Sequence, residues 1–484
     1  MEEKEQKKYL KEKEKLVTKV GYLQRVLKEY KVPVMIVFEG VHASGKGRLS
    51  NELLLALDAR YTKFYATHAP TETERRKPFL WQYFVNSPSH QEVYIYYRSW
   101  YSLYIAMKNN IIKDSLYDGS KILLQEIRNF EKTLRNDGTE LIKFYVDIEE
   151  ENQKEHIRRM YDNPRTMWKA QEYDRDNDED YKKEMEKIVE EDQSSWHRIK
   201  YESSFVSVNE VLETIVSRLE KRLKKEKKRA EEEPEKRDGF FNGKYPDILK
   251  KHEGNHDLSK EDYKDRLDRL QKEMRDIQYT LYERKIPLIL VFEGWDAAGK
   301  GGNIKRIIQQ LDPTGYEIST TAAPTDMELR HHYLWRFWKQ VPKTGHISIY
   351  DRSWYGRVMV ERVEGFASNK DVERAYEEIN DFETSLTNFG AIVLKFFIHI
   401  SKEEQLKRFE ARQADENKVW KITDEDWRNR EKWDLYEEAI NDMLDRTNVK
   451  KAPWLVINGN NKRYARITVL ETVIAACTER FLDK

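Results

Sequence analysis

The stretch KIPLILVFEGWDAAGKG (285–301) decides the fold. Its first half, Pro287–Phe292, is a short apolar run, the pattern of a strand buried on both faces. Its second half, GWDAAGKG (294–301), has the spacing G-x-x-x-x-G-K and leads into a helix expected from about Asn303. Strand, glycine loop and helix in that order make a phosphate-binding loop. Glycine lets backbone N–H groups wrap phosphate oxygens, and a helix N-terminus favours negative charge. Gly294, Ala297, Ala298, Gly299 and Gly301 are therefore the expected phosphate cradle, with Lys300 reaching the outer phosphates.

The position after the lysine departs from the common form. It is Gly301, so the hydroxyl that usually ligates Mg²⁺ is missing. Another oxygen must hold the metal. Asp296 inside the loop and Asp351 at the end of the apolar run ISIYD are the candidates, since Mg²⁺ takes one or two carboxylates and keeps several waters. Mg²⁺ is the expected ion, with Mn²⁺ as the alternative.

The pattern occurs twice. KVPVMIVFEGVHASGKG (31–47) repeats the opening stretch at an offset of 254 residues, and HAPTE (68–72) meets AAPTD (322–326) at the same offset. IYYRSWY (95–101) meets IYDRSWY (349–355), and VLETIV (211–216) meets VLETVI (469–474). One domain has been duplicated. Residues 1–223 are expected as the first copy, 224–259 as a charged linker and 260–484 as the second copy. In the second copy a helical pattern over 260–284 precedes strands expected at Pro287–Phe292, Tyr316–Thr321, His346–Tyr350, Ile392–Ile400 and Trp454–Ile457. Alternating strands and helices predict an α/β fold: two tandem P-loop domains, each a parallel sheet flanked by helices, with ligands at the carboxyl ends of the strands.

Composition sets the limits. The chain has 484 residues, 87 Lys+Arg and 87 Asp+Glu, so no global basic field points to nucleic acid. Its one cysteine, Cys477, excludes an intrachain disulfide. The start, MEEKEQKKYL, is too charged for a secretory signal, and the apolar runs are too short to span a bilayer. A cytoplasmic protein without membrane or nucleic-acid partners is expected; self-association is open.

GWDAAGKGG, the AAPT loop, YDRSWYGRV and LKRFEARQ…KVWKIT…DW…WDLY together resemble the polyphosphate kinase 2 family, over nearly all of the second copy and, more weakly, the first. The tandem arrangement resembles its polyphosphate:AMP phosphotransferases. That resemblance implies a fold like thymidylate and adenylate kinases with a helical lid, and transfer of a terminal phosphoryl group from inorganic polyphosphate to AMP, giving ADP, with Mg²⁺. It implies catalytic roles for Asp296, Lys300, Asp351, Arg352 and Arg412. It also implies phosphate-binding roles for Arg408, Lys418 and Lys421 in the lid. Pro324, Thr325, Arg330, Tyr355 and Arg357 are the candidates for the nucleotide. ADP or another nucleoside diphosphate as acceptor, an ATP-dependent monophosphate kinase and a non-catalytic polyphosphate scaffold are the alternatives.

The first copy keeps Gly40, Gly45 and Lys46. His42 replaces Asp296, Tyr97 replaces Asp351, Met160 stands opposite Arg412 and His156 opposite Arg408. Without those acids and the lid arginine, phosphoryl transfer is not expected there. Glu131 and Glu383 recur in both copies, which favours a structural role for them. Adjacent His331 and His332 point apart on a helix and make no two-histidine metal face.

Overall fold

The computed structural model describes residues 3–112, 120–171, 175–254 and 256–482. The chain divides into two compact units. The first comprises Met1–Thr71, Gln82–Glu233 and Asp326–His332; the second comprises Glu72–Trp81, Pro234–Thr325 and Tyr333–Lys484.

In the first unit, strands β1 (Val34–Glu39), β2 (Thr62–Ala66), β3 (Val93–Tyr97), β4 (Glu140–Asp147) and β5 (Trp196–Lys200) form a parallel sheet in the order β2-β3-β1-β4-β5. Its helices include α1 (Glu3–Glu29), α2 (Lys46–Ala56), α3 (Ser120–Asn136), α4 (Glu150–Tyr161), α5 (Arg175–Glu191) and α6 (Ser204–Glu231). Every residue of β1 is buried, as its unbroken apolar run predicts. Leu16, Val20, Leu23 and Leu27 line one face of α1 and join Val208, Leu212, Ile215 and Leu219 of α6 in one core with β1.

The second unit repeats the plan. Strands β6 (Leu288–Gly294), β7 (Tyr316–Thr320), β8 (Ile347–Asp351), β9 (Ile392–His399) and β10 (Trp454–Asn458) are all parallel, in the order β7-β8-β6-β9-β10. Helices α7 (Lys260–Arg284), α8 (Lys300–Ile308), α9 (Asn369–Asn388), α10 (Lys402–Gln413), α11 (Asp424–Glu431), α12 (Trp433–Arg446) and α13 (Lys462–Leu482) belong to it. The central strand β6 delivers the glycine loop at its carboxyl end. Helix α8 starts at Lys300, three residues before the expected Asn303, because Gly299 caps it in a left-handed conformation (φ 111°).

Residues 224–259, expected as a linker, have two fates. The segment up to Glu231 continues α6, since KKEKKRAE contains strong helix formers and no proline or glycine until Pro234. The remainder packs into the second unit. There Asn242 and Gly243 N–H donate to the two carboxylate oxygens of Glu438, each at 2.9 Å, and Asn441 Oδ1 accepts from Ile248 N–H at 2.7 Å.

Two short segments fall in the unit opposite their own repeat. In the second unit Arg76 donates to Thr344 O (2.9 Å), and Thr344 N–H returns a bond to Arg76 O (3.0 Å). In the first unit His90 N–H donates to Arg330 O (2.7 Å).

Each unit also buries a charge. Lys395 on β9 and Glu383 on α9, both wholly buried, pair at 2.8 Å; Tyr355 donates to Glu383 (2.6 Å) and Trp354 Nε1 donates to the same carboxylate (3.0 Å). The first unit has the same set in Lys143, Glu131, Tyr101 and Trp100. A buried pair survives only when its remaining donors and acceptors are met, and here they are. No helix among the described residues is long and apolar enough to cross a membrane.

Candidate active site

Gly294 ends β6 at φ +145°, and a Cβ there would lie 2.4 Å from the carbonyl oxygen of Ile398 on the neighbouring strand. Only glycine lets the chain turn so close to β9. Ala297 follows in a left-handed conformation (φ 61°), then Gly299. A Cβ on Gly299 would meet nothing within 4 Å, so the mouth of the loop is open. Lys300 Nζ folds back onto Gly294 O (2.6 Å) and Trp295 O (3.2 Å). Burial, then the Arg352 charge, lowers the lysine's pKa; Asp296, Asp351 and Glu293 oppose the shift.

Asp296 is held in place by Arg352, which pairs with Oδ1 at 2.9 Å, by Asn429 of α11, which donates to Oδ2 at 3.0 Å, and by Gln405 of α10, which donates to its backbone carbonyl at 3.1 Å. Burial raises its pKa, but Lys300 and Arg352 outweigh that and leave it below the ordinary carboxylate value. Arg352 itself sits at φ 63°, a backbone strain of about 1–3 kcal/mol that aims its side chain back at the loop.

Asp351 differs. It ends β8 half-buried, and no described residue donates a hydrogen bond to its carboxylate or pairs with it. A Cβ on Gly301 would stand 3.8 Å from Asp351 Oδ2, so the position that normally carries the metal-binding hydroxyl adjoins this open carboxylate. Among the described residues no group of three or more His, Cys, Asp or Glu gathers to hold a metal. The donor set suits a hard ion that keeps most of its waters and takes one or two carboxylates.

The lid residues separate into two kinds. Arg408, 5% exposed, donates to Ala297 O (3.0 Å), Ala298 O (2.9 Å), Gly459 O (2.7 Å), Asn460 O (3.1 Å) and Glu404 (2.7 Å). Its five N–H groups are spent. The expectation that Arg408 binds phosphate is corrected: it braces the loop from behind. Arg412, one turn later, donates only a long bond to Lys421 O (3.4 Å). Lys418 pairs with Asp415, and Lys421 lies over the exposed ring of Trp420 at 5.1 Å. These three cations stand on an exposed segment.

The nucleotide candidates are also redistributed. Pro324 and Thr325 are exposed after β7. Tyr355 is 0% exposed and its hydroxyl is spent on Glu383, so it supports the core rather than a base; this corrects its assignment. Arg357 pairs with Glu361 (2.8 Å) and stacks on Tyr333 (4.4 Å). Arg330 falls in the first unit, where its carbonyl oxygen accepts from His90 N–H. The sequence missed Asn429, Gln405 and the buried Glu293, which accepts from Ser353 (2.8 Å).

The first unit's loop is filled. His42 N–H donates to Asp178 of α5 at 3.0 and 3.2 Å, and Gln153 donates to Asp178 (2.8 Å) and to His42 O (2.8 Å). Tyr201 covers Gly45 so closely that a Cβ there would lie 2.2 Å from its ring. Lys46 is 1% exposed and donates to Val41 O (2.7 Å); burial first, then Arg98, pulls its pKa down to about 7. His156 Nδ1 donates to Ala43 O (2.9 Å), the place where Arg408 braces Ala297.

Sheet order and glycine loop define a P-loop fold, present twice, with the flanking acids Asp296 and Asp351 in the second copy alone. Residues 3–227 and 257–483 each match polyphosphate kinase 2 (PPK2). The chain belongs to the polyphosphate kinase 2 family. It is 35% identical over 449 residues to the polyphosphate:AMP phosphotransferase of Pseudomonas aeruginosa, covering 91% of this chain and 90% of that one. It is 35% identical to the protein of the same name from Acinetobacter johnsonii, covering 91% and 90%. An ADP-polyphosphate phosphotransferase of Rhizobium meliloti is 37% identical over 214 residues, 44% of this chain and 75% of that one. A crystal structure from Pseudomonas aeruginosa assigned to polyphosphate kinase 2 superposes with a TM-score of 0.82 at 31% identity, covering 98% and 96%.

Proposed function

We propose that this chain transfers the terminal phosphoryl group of inorganic polyphosphate to AMP, giving ADP, and that the second unit performs the chemistry. The observation that carries this is the pairing of an open loop with an unpaired acid in one unit, within a chain matched over 91% of its length by a polyphosphate:AMP phosphotransferase.

The acceptor is a phosphate oxygen, anionic at neutral pH, so no general base is needed. The task is to bring two polyanions together and neutralise charge in a loose transition state. The loop N–H groups and Lys300, released from its carbonyl contacts, cradle the donor's end. Asp351, with Asp296, would hold Mg²⁺ (Mn²⁺ being the alternative), which would supply positive charge for the transfer. Arg352 and Arg412 neutralise the transferring group from two sides, while Lys418 and Lys421 draw in the rest of the chain. Arg408 positions the loop. Pro324, Thr325 and Arg357 border the acceptor. The first unit, its loop occupied by Asp178 and Tyr201, does no transfer. The protein acts in the cytoplasm.

The test is a nucleotide panel with polyphosphate and Mg²⁺. ADP formed from AMP in the absence of ATP is the expected result; product only with ATP as donor overturns it. Transfer to ADP is the second reading, favoured by the 37% identity over 214 residues to an ADP-polyphosphate phosphotransferase. The same panel separates the two.

A further inference from the structure

The first unit, though its loop is filled, retains a cavity of about 310 Å³ beside that loop. Its lining combines polar Arg98, His68 and Tyr181 with apolar Leu103, Ile105 and Ile111. The polar groups are mostly turned inward on the protein. Tyr181 donates to Glu39 (2.6 Å), and both oxygens of Asp178 face His42 N–H. Arg98 is the contrast. Its equivalent, Arg352, pairs with the loop acid Asp296 at 2.9 Å. In the first unit that acid is His42, and the Arg98 guanidinium makes no hydrogen bond or ion pair with any described residue. A half-buried guanidinium facing a cavity asks for an anion.

We propose that this cavity binds a nucleoside monophosphate without turning it over, with the phosphate on Arg98 and the base against the apolar lining residues. Size and lining select this class. The volume lies at the small end of organic-ligand pockets, which are mainly apolar with a few placed polar groups. Polyphosphate does not suit it: that ligand has no apolar part, and the loop amide that would hold it is taken by Asp178. The site is thus an effector site that senses the concentration of the acceptor class rather than the donor.

The experiment is calorimetric titration of the full chain with AMP, without polyphosphate. Arg98→Ala is expected to bind one AMP fewer per chain than the unaltered protein, whether or not the second unit binds AMP. Ala106→Trp, which fills the cavity while leaving Arg98 in place, should lose the same site. Adenosine is expected to bind it at least tenfold more weakly than AMP, and inorganic tripolyphosphate should not displace AMP from it. Equal AMP stoichiometry in the unaltered chain and both variants overturns the proposal, as does equal affinity for adenosine and AMP or displacement by tripolyphosphate.

Discussion

The two glycine loops have the same backbone course and opposite fates. In both, the glycine that ends the central strand has a φ near +150°, an alanine sits in the left-handed region, and a lysine opens the helix. The second loop has space in front of Gly299; the first has the Tyr201 ring against Gly45 and a carboxylate on its amide. The second carries its negative charge within the loop, at Asp296; the first receives it from helix α5, at Asp178. A loop can thus lose its ligand and keep its shape, provided the protein supplies a substitute anion and a substitute brace.

The asymmetry can be broken most sharply at its active end. Asp351→Asn, Lys300→Ala and Arg412→Ala are each expected to cut turnover by about 10²–10³ while circular dichroism stays unchanged. Lys46→Ala is expected to leave steady-state turnover unaltered; a comparable loss there would move part of the chemistry into the first unit.

Arg408 sharpens the brace. Arg408→Ala should lower kcat by about 10², since a misplaced loop loses alignment rather than charge. Arg408→His should recover a measurable part of that loss, because His156 does the same job on Ala43. A variant that raised only the polyphosphate KM would place Arg408 back on the ligand.

The buried pairs test what the copies share. Glu383→Ala and Glu131→Ala should each cost about 3–5 kcal/mol in urea unfolding, by leaving a buried lysine uncompensated.

A last effect is on pH dependence. Lys46 has a folded pKa of about 7, against about 10.4 for an exposed lysine. Between those values the unfolded chain binds more protons, so this residue makes stability rise with pH across that window. Lys46→Met should flatten that rise in thermal unfolding scans, whereas Lys300→Met should not reproduce the effect in the first unit.

Much of this was legible because it is periodic or repeated. Short strand patterns found the five strands of the second unit, although β7 is mostly exposed and no apolar run, and the 254-residue offset exposed the duplication. Arg408 was misread because an arginine four residues before Arg412 looks like a second lid cation; only the fold brings the carbonyls of Ala297 and Gly459 to it. The hint was that a copy which had lost its acids still kept a hydrogen-bonding residue, His156, there. Tyr355 was misread by proximity to Asp351. Its recurrence as Tyr101, alongside Glu131 and Lys143 in the filled copy, already pointed to the core. Where α6 ends within the charged stretch 224–259 was not legible, because solvated charge and a long helix have the same composition.

The exchanged segments carry a consequence for how such a chain can change over generations. Residues 72–81 are encoded in one half and complete the unit of the other, and 326–332 do the reverse. Deleting either half of the gene would therefore remove a strip from the other unit as well, so neither copy can be shed cleanly in a single step.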